Sequence, residues 1–286
     1  MPTVTSQDGT KIAFDKVGSG PAVILVSGAT AYRASDPFMA QLAELLDKHF
    51  TVYNYDRRGR GDSGDTQPFV KEREMEDLQA LVEDSGGTAL VFGISSGAVL
   101  CLDAAAVTPG VTRLVVYEPA LIVDDSRQPV PADYAEHLMQ LASQGKRDEA
   151  FEYFLTQAVG IPAEYIGGIK QDQATWSGVT RVAHTIAYDA AFVGDVMQSQ
   201  PLPPDRWAKV TMPVLVADGG ASDAWMHHGA DALAQILPHA AATRSQGRPI
   251  MLTLQCWPRS SSTSFSTNTR LGEMDSRTRF LSPPGH

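Results

Sequence analysis

The residues with the clearest chemical potential are Gly93-Ile94-Ser95-Ser96-Gly97, a G-x-S-x-G run. The pattern alone says little, because glycine and serine are common; its setting carries the weight. It follows an apolar stretch at 88–92 (TALVF) and opens a second one (AVLCLDAAA) with the small residues of a packed helix. At such a strand–turn–helix junction a serine is held in a strained turn with its oxygen exposed, and flanking glycines leave room for it. The turn also sets the oxygen near a helix N-terminus, where backbone N–H groups favour developing negative charge. The implied chemistry is nucleophilic attack by Ser95. A serine hydroxyl is weak near neutral pH, so a histidine base and a carboxylate to orient it are needed too. A competing motif, Gly59-x-Gly61-x-x-Gly64, fits a dinucleotide-binding pattern. However, DTQP follows it instead of an apolar helix, and its loop carries Arg57, Arg58 and Arg60, so a cofactor cradle is not expected there.

The elements that must position Ser95 alternate between strand and helix. Residues 11–17 alternate polar and apolar as a half-buried strand does, and 22–26 (AVILV) is continuously apolar, as in a parallel strand buried on both faces. Helical spacing at 37–46, a strand at 51–55, helical spacing at 72–82, the strand at 88–92, a helix through Ala106 and a strand at 111–117 follow. This order predicts an α/β fold, a mostly parallel sheet with helices on both faces. From 123 to 204 the strand signal stops, and helices are expected at 131–143, 147–158, 162–169 and 179–192. Pro201, Pro203 and Pro204 close that insertion; a strand at 212–217 and a helix at 224–237 come next. The expected organisation is a core made of 1–122 and 205–243, a helical cap at 123–204, and an atypical tail at 244–286, whose Ser/Thr-rich stretch at 259–269 reads as disordered.

Composition narrows the function classes. The 286 residues are 43% hydrophobic and 20% charged, ordinary for a globular chain, with a formal net charge of -10. That acidity argues against nucleic acid or an anionic membrane surface as the main partner. Two cysteines, Cys101 in an apolar helical run and Cys256, make neither a disulfide framework nor a zinc site. No apolar run is long enough to span a bilayer and the N-terminus lacks an apolar signal region, so a cytoplasmic protein is the expectation.

Several motifs in order give the sequence a family resemblance. Val26-Ser27-Gly28-Ala29, Asp56-Arg57-Arg58-Gly59-Arg60-Gly61-Asp62-Ser63, the run around Ser95 and the helical insertion together resemble the α/β-hydrolase superfamily over residues 1 to about 240. Within it, the chain is similar to small cap-bearing bacterial hydrolases. The first motif stands where the family has its His-Gly-x turn, with Ser27 in place of the usual histidine; the second matches its D-x-R-G-x-G-x-S loop. The resemblance implies an oxyanion hole from the backbone N–H groups of Ser96 and Ala29.

It also leaves two carboxylates open as the orienting acid. The family acid usually follows the strand after the cap, here Ala217-Asp218-Gly219-Gly220-Ala221-Ser222-Asp223. Aligning Gly219 with the family's turn glycine puts Ser222 at the acid position and Asp223 one residue late. Some members carry the acid at the end of the strand after the nucleophile, which here is Glu118. Asp218 is the outside candidate. The family histidine follows one more strand, and nothing after His239 fits until His286. His184 on a cap helix, and His227 and His228 at the start of the helix after the acid loop, are expected to pack instead of acting as a base. His184 and Trp225 are also candidates to line a pocket under the cap, as is Trp176.

The coding possibilities suggest where the histidine went. Reading the codons allowed from Arg244 onward two bases later, Cys256-Trp257 forces Leu, Trp257-Pro258 forces Ala, Gln255-Cys256 permits only Val or Met, and Pro249-Ile250 permits His. The shifted reading includes LPGQTHNVDPAVLAPVLVDFF: a turn, a histidine and an amphipathic terminal helix, very like the family's ending. A frameshift near residue 243 would have replaced the last strand, the histidine and the last helix, left the 212–217 strand at the sheet edge, and exposed apolar surface. The resemblance therefore implies a serine hydrolase acting on an ester or related acyl bond of a small molecule, without metal or organic cofactor, and with low or absent activity in this chain. Two alternatives stand beside it: a non-catalytic small-molecule-binding protein of the same fold, and a cofactor-free C–C hydrolase or haloperoxidase-like enzyme.

Overall fold

The computed structural model describes residues 1–245. Strands β1 (Thr3–Thr5), β2 (Lys11–Gly18) and β3 (Ala22–Val26) open the chain, followed by α1 (Pro37–Leu46), β4 (Thr51–Tyr55), α2 (Lys71–Asp84), β5 (Ala89–Ile94), α3 (Ser96–Ala105) and β6 (Val111–Tyr117). A helical segment comes next: α4 (Tyr134–Ser143), α5 (Arg147–Tyr153) running into a π-helical turn (Phe154–Val159), α6 (Ala163–Ile169), α7 (Gln173–Thr180), a 3₁₀ turn (Ala183–Thr185) and α8 (Ile186–Val193). Strand β7 (Val214–Gly219), α9 (Ala224–Ile236) and β8 (Ala240–Ser245) close the described chain. No helix of the described residues is long and apolar enough to cross a membrane.

The strands form one sheet in the order β1-β2-β4-β3-β5-β6-β7-β8. From β4 to β8 every neighbouring pair is parallel, while β1 and β2 add on antiparallel. The apolar runs of β3, β5 and β7 follow from this, since a central parallel strand has helices on both faces. Side-chain alternation divides each strand between them. Val23 and Leu25 of β3 pack with Met39, Leu42 and Leu46 of α1. Ile24 and Val26 join the larger core on the other face, built with Leu78 and Leu81 of α2, Val99, Leu100 and Leu102 of α3, and Leu233 of α9.

Three expectations from the sequence change here. The strand at 212–217 is not at the edge: β8 pairs with β7 from Val214↔Ala240 to Gly219↔Ser245. The last strand is thus present, beginning directly after His239 and running two residues past 243, where the core was expected to end. Among the described residues β8 has β7 as its one neighbour. Second, 179–192 is not one helix. The chain breaks after α7, turns through Ala183–Thr185 and restarts as α8. The break lets Thr185 and Asp189 point into the core, where both are buried. Third, β1 was not anticipated, because a three-residue polar strand (TVT) carries no usable period. The tail expected to be disordered lies outside the described residues from 246 onward.

Candidate active site

Ser95 joins β5 to α3 with φ 56° and ψ -126°. A non-glycine residue there is strained by about 1–3 kcal/mol, and such strain clusters at functional sites. Close packing enforces the turn. A Cβ on Gly93 would lie 2.6 Å from Cys101 Sγ and 2.7 Å from Gly97 O, and one on Gly97 would lie 2.4 Å from Ser27 O. Both glycines are therefore required by the approach of α3 to β5 and β3. Gly97→Ala is expected to lower the unfolding free energy by about 1–3 kcal/mol, as overpacking at a tight contact does; chemical denaturation of the variant checks this.

The turn after β3 lies against Ser95. A Cβ on Gly28 would stand 3.2 Å from Ser95 Cβ and 3.8 Å from Ser95 Oγ. The backbone N–H groups of Ala29 and Ser96 donate no hydrogen bond to a described residue. Ser96 opens α3, where amides lack an intrahelical partner, and Ala29 is half-buried in the turn that packs on Ser95, so both N–H groups are donors with no acceptor among the described residues.

The candidate carboxylates separate clearly in space. Glu118 ends β6 with φ 46°. Its strand neighbour Tyr117 accepts a hydrogen bond from Ser95 N at 3.0 Å, and Glu118 N donates to Ala217 O at 2.8 Å. Glu118 Oε1 accepts from Gly219 N at 3.1 Å and from Ser222 Oγ. Burial, with the charge of Glu118 next to it, pushes the Tyr117 hydroxyl up to about 12. The residue that the family alignment sets at the acid position, Ser222, thus donates to the other candidate: the two acid positions meet at one place. Asp223 precedes α9, is exposed and makes no side-chain capping hydrogen bond. Asp218 is buried and occupied elsewhere, accepting from Arg244 Nε at 3.0 Å and lying 2.7 Å from His227 Nδ1.

No described histidine is hydrogen-bonded to Ser95. His184 Nε2 is 3.3 Å from Asp65 Oδ2, and its buried Nδ1 has no partner among the described residues. Burial would raise the Asp65 carboxyl, but hydrogen bonds from His184 and Tyr188 hold it low. His228 pairs with Asp124, His137 packs on Tyr153, and the carbonyl of His239, just before β8, accepts from Val214 N at 2.9 Å. Trp225 lies beneath the Arg127 guanidinium at 4.5 Å, and Trp176 is buried against Phe151. His184 sits beside the Gly59 turn, where a Cβ would be 3.1 Å from its Nε2.

Sequence reading missed a buried ionic cluster behind Ser95. Arg57 holds Glu74 through Nε at 2.7 Å and Nη2 at 2.8 Å, and its Nη1 reaches Asp189 Oδ1 at 2.6 Å. Arg60 Nη2 reaches Asp189 Oδ2 at 2.6 Å, and Ser96 Oγ donates to Asp189 Oδ1 at 2.7 Å. Burial works against the Asp189 charge, but Arg57 and Arg60 outweigh it and hold the carboxyl below its ordinary range. Burial and the neighbouring Arg57 cation pull Arg60 down. The only hint in the sequence was the excess of arginine in the 56–63 loop.

A mostly parallel sheet flanked by helices, with a strained serine between β5 and α3 and a helical segment inserted after β6, defines the α/β-hydrolase fold. The chain belongs to the alpha/beta hydrolase family, whose model matches residues 23–251. It is 48% identical to an alpha/beta hydrolase from Sphaerobacter thermophilus of known structure, with a TM-score of 0.78 over 88% of this chain and 98% of that one. An enol-lactonase from Burkholderia xenovorans shares the fold at 20% identity and a TM-score of 0.60, covering 86% of this chain and 91% of the other. The uncharacterized hydrolase YraK of Bacillus subtilis is 27% identical over 164 residues, or 52% of this chain, and the match spans 59% of that protein's length.

Proposed function

We propose that the chain is built as a serine hydrolase for an ester or related acyl bond of a small molecule. Ser95 attacks the acyl carbon, the Ala29 and Ser96 amides hold the resulting oxyanion, Glu118 is the carboxylate that orients a base, and the helical segment 123–204 caps the site. The observation that supports this reading best is the strained Ser95 next to two amides that donate to no described residue, since donors fixed where charge develops are usually the largest single contribution in acyl transfer. Glu118 is favoured over Asp223 because it lies at the end of the strand hydrogen-bonded to Ser95, whereas Asp223 is exposed. No metal or organic cofactor enters the mechanism.

One observation favours a second reading, binding without turnover: no described histidine reaches Ser95. The two readings separate under a fluorophosphonate probe followed by intact-mass detection. The expected result is slow, single labelling that disappears in Ser95→Ala. Its rate should rise about tenfold per pH unit through neutrality without a plateau, because hydroxide then does the work of the missing base. A plateau near pH 7 would show that a histidine already serves Ser95. A folded chain with no adduct even at pH 9 would overturn Ser95 as nucleophile and leave the binding reading.

A further inference from the structure

We infer that Asp189 and Arg60 are positioning residues for the Ser95 site: one carboxylate from the helical segment fixes both residues whose amides flank the nucleophile. The inference rests on the serine-hydrolase reading above and extends it to residues outside the family's shared motifs. Asp189 belongs to α8, and Arg60 stands at an unspecified position of the D-x-R-G-x-G-x-S pattern.

The geometry is a branched set of hydrogen bonds. Asp189 Oδ1 accepts from Ser96 Oγ at 2.7 Å and so holds the first residue of α3. Its Oδ2 accepts from Arg60 Nη2 at 2.6 Å. The same guanidinium donates through Nη1 to Gly28 O at 2.6 Å and through Nε to Thr185 Oγ1 at 3.0 Å. The Gly28–Ala29 peptide is trans, the one cis bond among the described residues being Gln67–Pro68. In a trans peptide the C=O and the following N–H point in opposite directions. By holding the Gly28 carbonyl, Arg60 therefore turns the Ala29 N–H away from itself. Arg57 Nη1 adds a bond to Ser27 O at 3.2 Å, one residue earlier in the same turn.

Burial makes the arrangement stiff. Arg57, Arg60, Asp189 and Ser96 are 0%, 1%, 3% and 4% exposed, so water does not compete for these bonds. The planar fork of arginine is needed, because Arg60 must serve a carbonyl, a carboxylate and a hydroxyl in three directions at once, which a lysine ammonium does not reproduce. A cluster that merely fastened α8 to the core would have no reason to spend donors on the carbonyls of Ser27 and Gly28.

The test uses the full chain, its Asp189→Asn and Arg60→Lys variants, and Thr185→Val, which removes the hydroxyl that accepts from Arg60 Nε while leaving the Arg60–Asp189 ion pair in place. Two readouts are combined. The first is affinity for phenylboronic acid, which becomes a tetrahedral anion on Ser95, against affinity for acetophenone, its neutral analogue. The expected loss is about tenfold or more for the boronate in Asp189→Asn and Arg60→Lys, with acetophenone little changed, because only the anion uses the amides. Thr185→Val should show the same selective loss in smaller measure. The second readout is the NMR order parameter of the Ala29 and Ser96 amides, expected to fall from about 0.85 toward 0.6 in the variants while the rest of the sheet stays rigid.

Equal weakening of both ligands, or unchanged order at Ala29 and Ser96 in folded variants, would reduce the cluster to a structural clasp and overturn the inference. If the parent chain binds no boronate, the serine-hydrolase reading is what has failed, and the order parameters alone decide the positioning role. Should Asp189→Asn not fold, Thr185→Val carries the decision.

Discussion

Replacing residues 244–286 with the shifted-frame ending raises hydrolysis of an activated ester by about 10²–10⁴-fold, the usual contribution of a positioned general base. Strand β8 supplies the geometric reason. It runs parallel to β7, its last residue Ser245 pairs with Gly219, and Gly220 N donates to Ser245 O at 2.7 Å. Gly219 in turn donates to Glu118. Chain leaving Ser245 thus emerges beside the acid candidate, and the histidine that the shifted reading writes across the Pro249 and Ile250 codons follows within a short turn. In the restored chain, Ser95→Ala should abolish the gain and Glu118→Gln remove most of it, whereas Asp223→Asn should leave it nearly intact. A folded, restored chain with no gain over the parent would sink the lost-histidine account. Sequencing the source gene offers an independent check, since codons incompatible with the shifted reading exclude it outright.

Arg57→Leu is expected to cost about 3–5 kcal/mol of stability, because removing one partner of a buried ion pair leaves the others uncompensated. Glu74 would lose both of its arginine contacts and Asp189 one of two. For a chain of this size that corresponds to a fall in Tm of roughly 5–10 °C. Lys146→Ala provides the contrast. Lys146 pairs with Glu149 at 3.1 Å, but both side chains are about half exposed, and such pairs contribute between 0 and about 1 kcal/mol. A calorimetric scan of both variants separates the cases; similar Tm values would mean that the buried cluster is not uncompensated on losing Arg57. The sign of the acid response follows as well. The Asp189 carboxyl is held below its unfolded value, so its stabilisation is present near neutral pH and is lost as the pH falls through that depressed value.

The parts of the fold that could be read from sequence are those where burial on two faces writes a continuous apolar run. The expected strands at 22–26, 51–55 and 111–117 match β3, β4 and β6 residue for residue. The helical segment was harder. Helix α6 forms despite Gly167 and Gly168, where an added Cβ would meet open space, and α7 was missed although Asp172 caps it by accepting from Thr175 N at 3.1 Å. That Asp-x-x-Thr spacing was a usable signal. The strained turn at Ser95 was legible because it depends on immediate neighbours. The meeting of Glu118 with Ser222 was not, since they lie after two strands that are far apart in sequence. The arginine cluster was least legible: Asp189 and Arg57 lie 132 residues apart, and a charge that finds its partner at that distance leaves no local period. The Asp218–His227 pair, nine residues apart, was within reach of a search for an acid ending a strand and a histidine in the next helix's first turn.

The placement of Asp189 also bears on how such proteins diversify. Exchange of the segment between β6 and β7 is an obvious route to new substrate ranges, since that segment is inserted as one piece between two ordinary strands. In this chain the exchange is constrained. The incoming segment must bring an acidic residue in register with Arg60, or leave that buried cation without a carboxylate, since Arg57 alone keeps Glu74. Loop and segment would then be inherited together, because exchanging either one alone leaves a buried charge unpaired: Arg60 when the segment is replaced, Asp189 when the loop is.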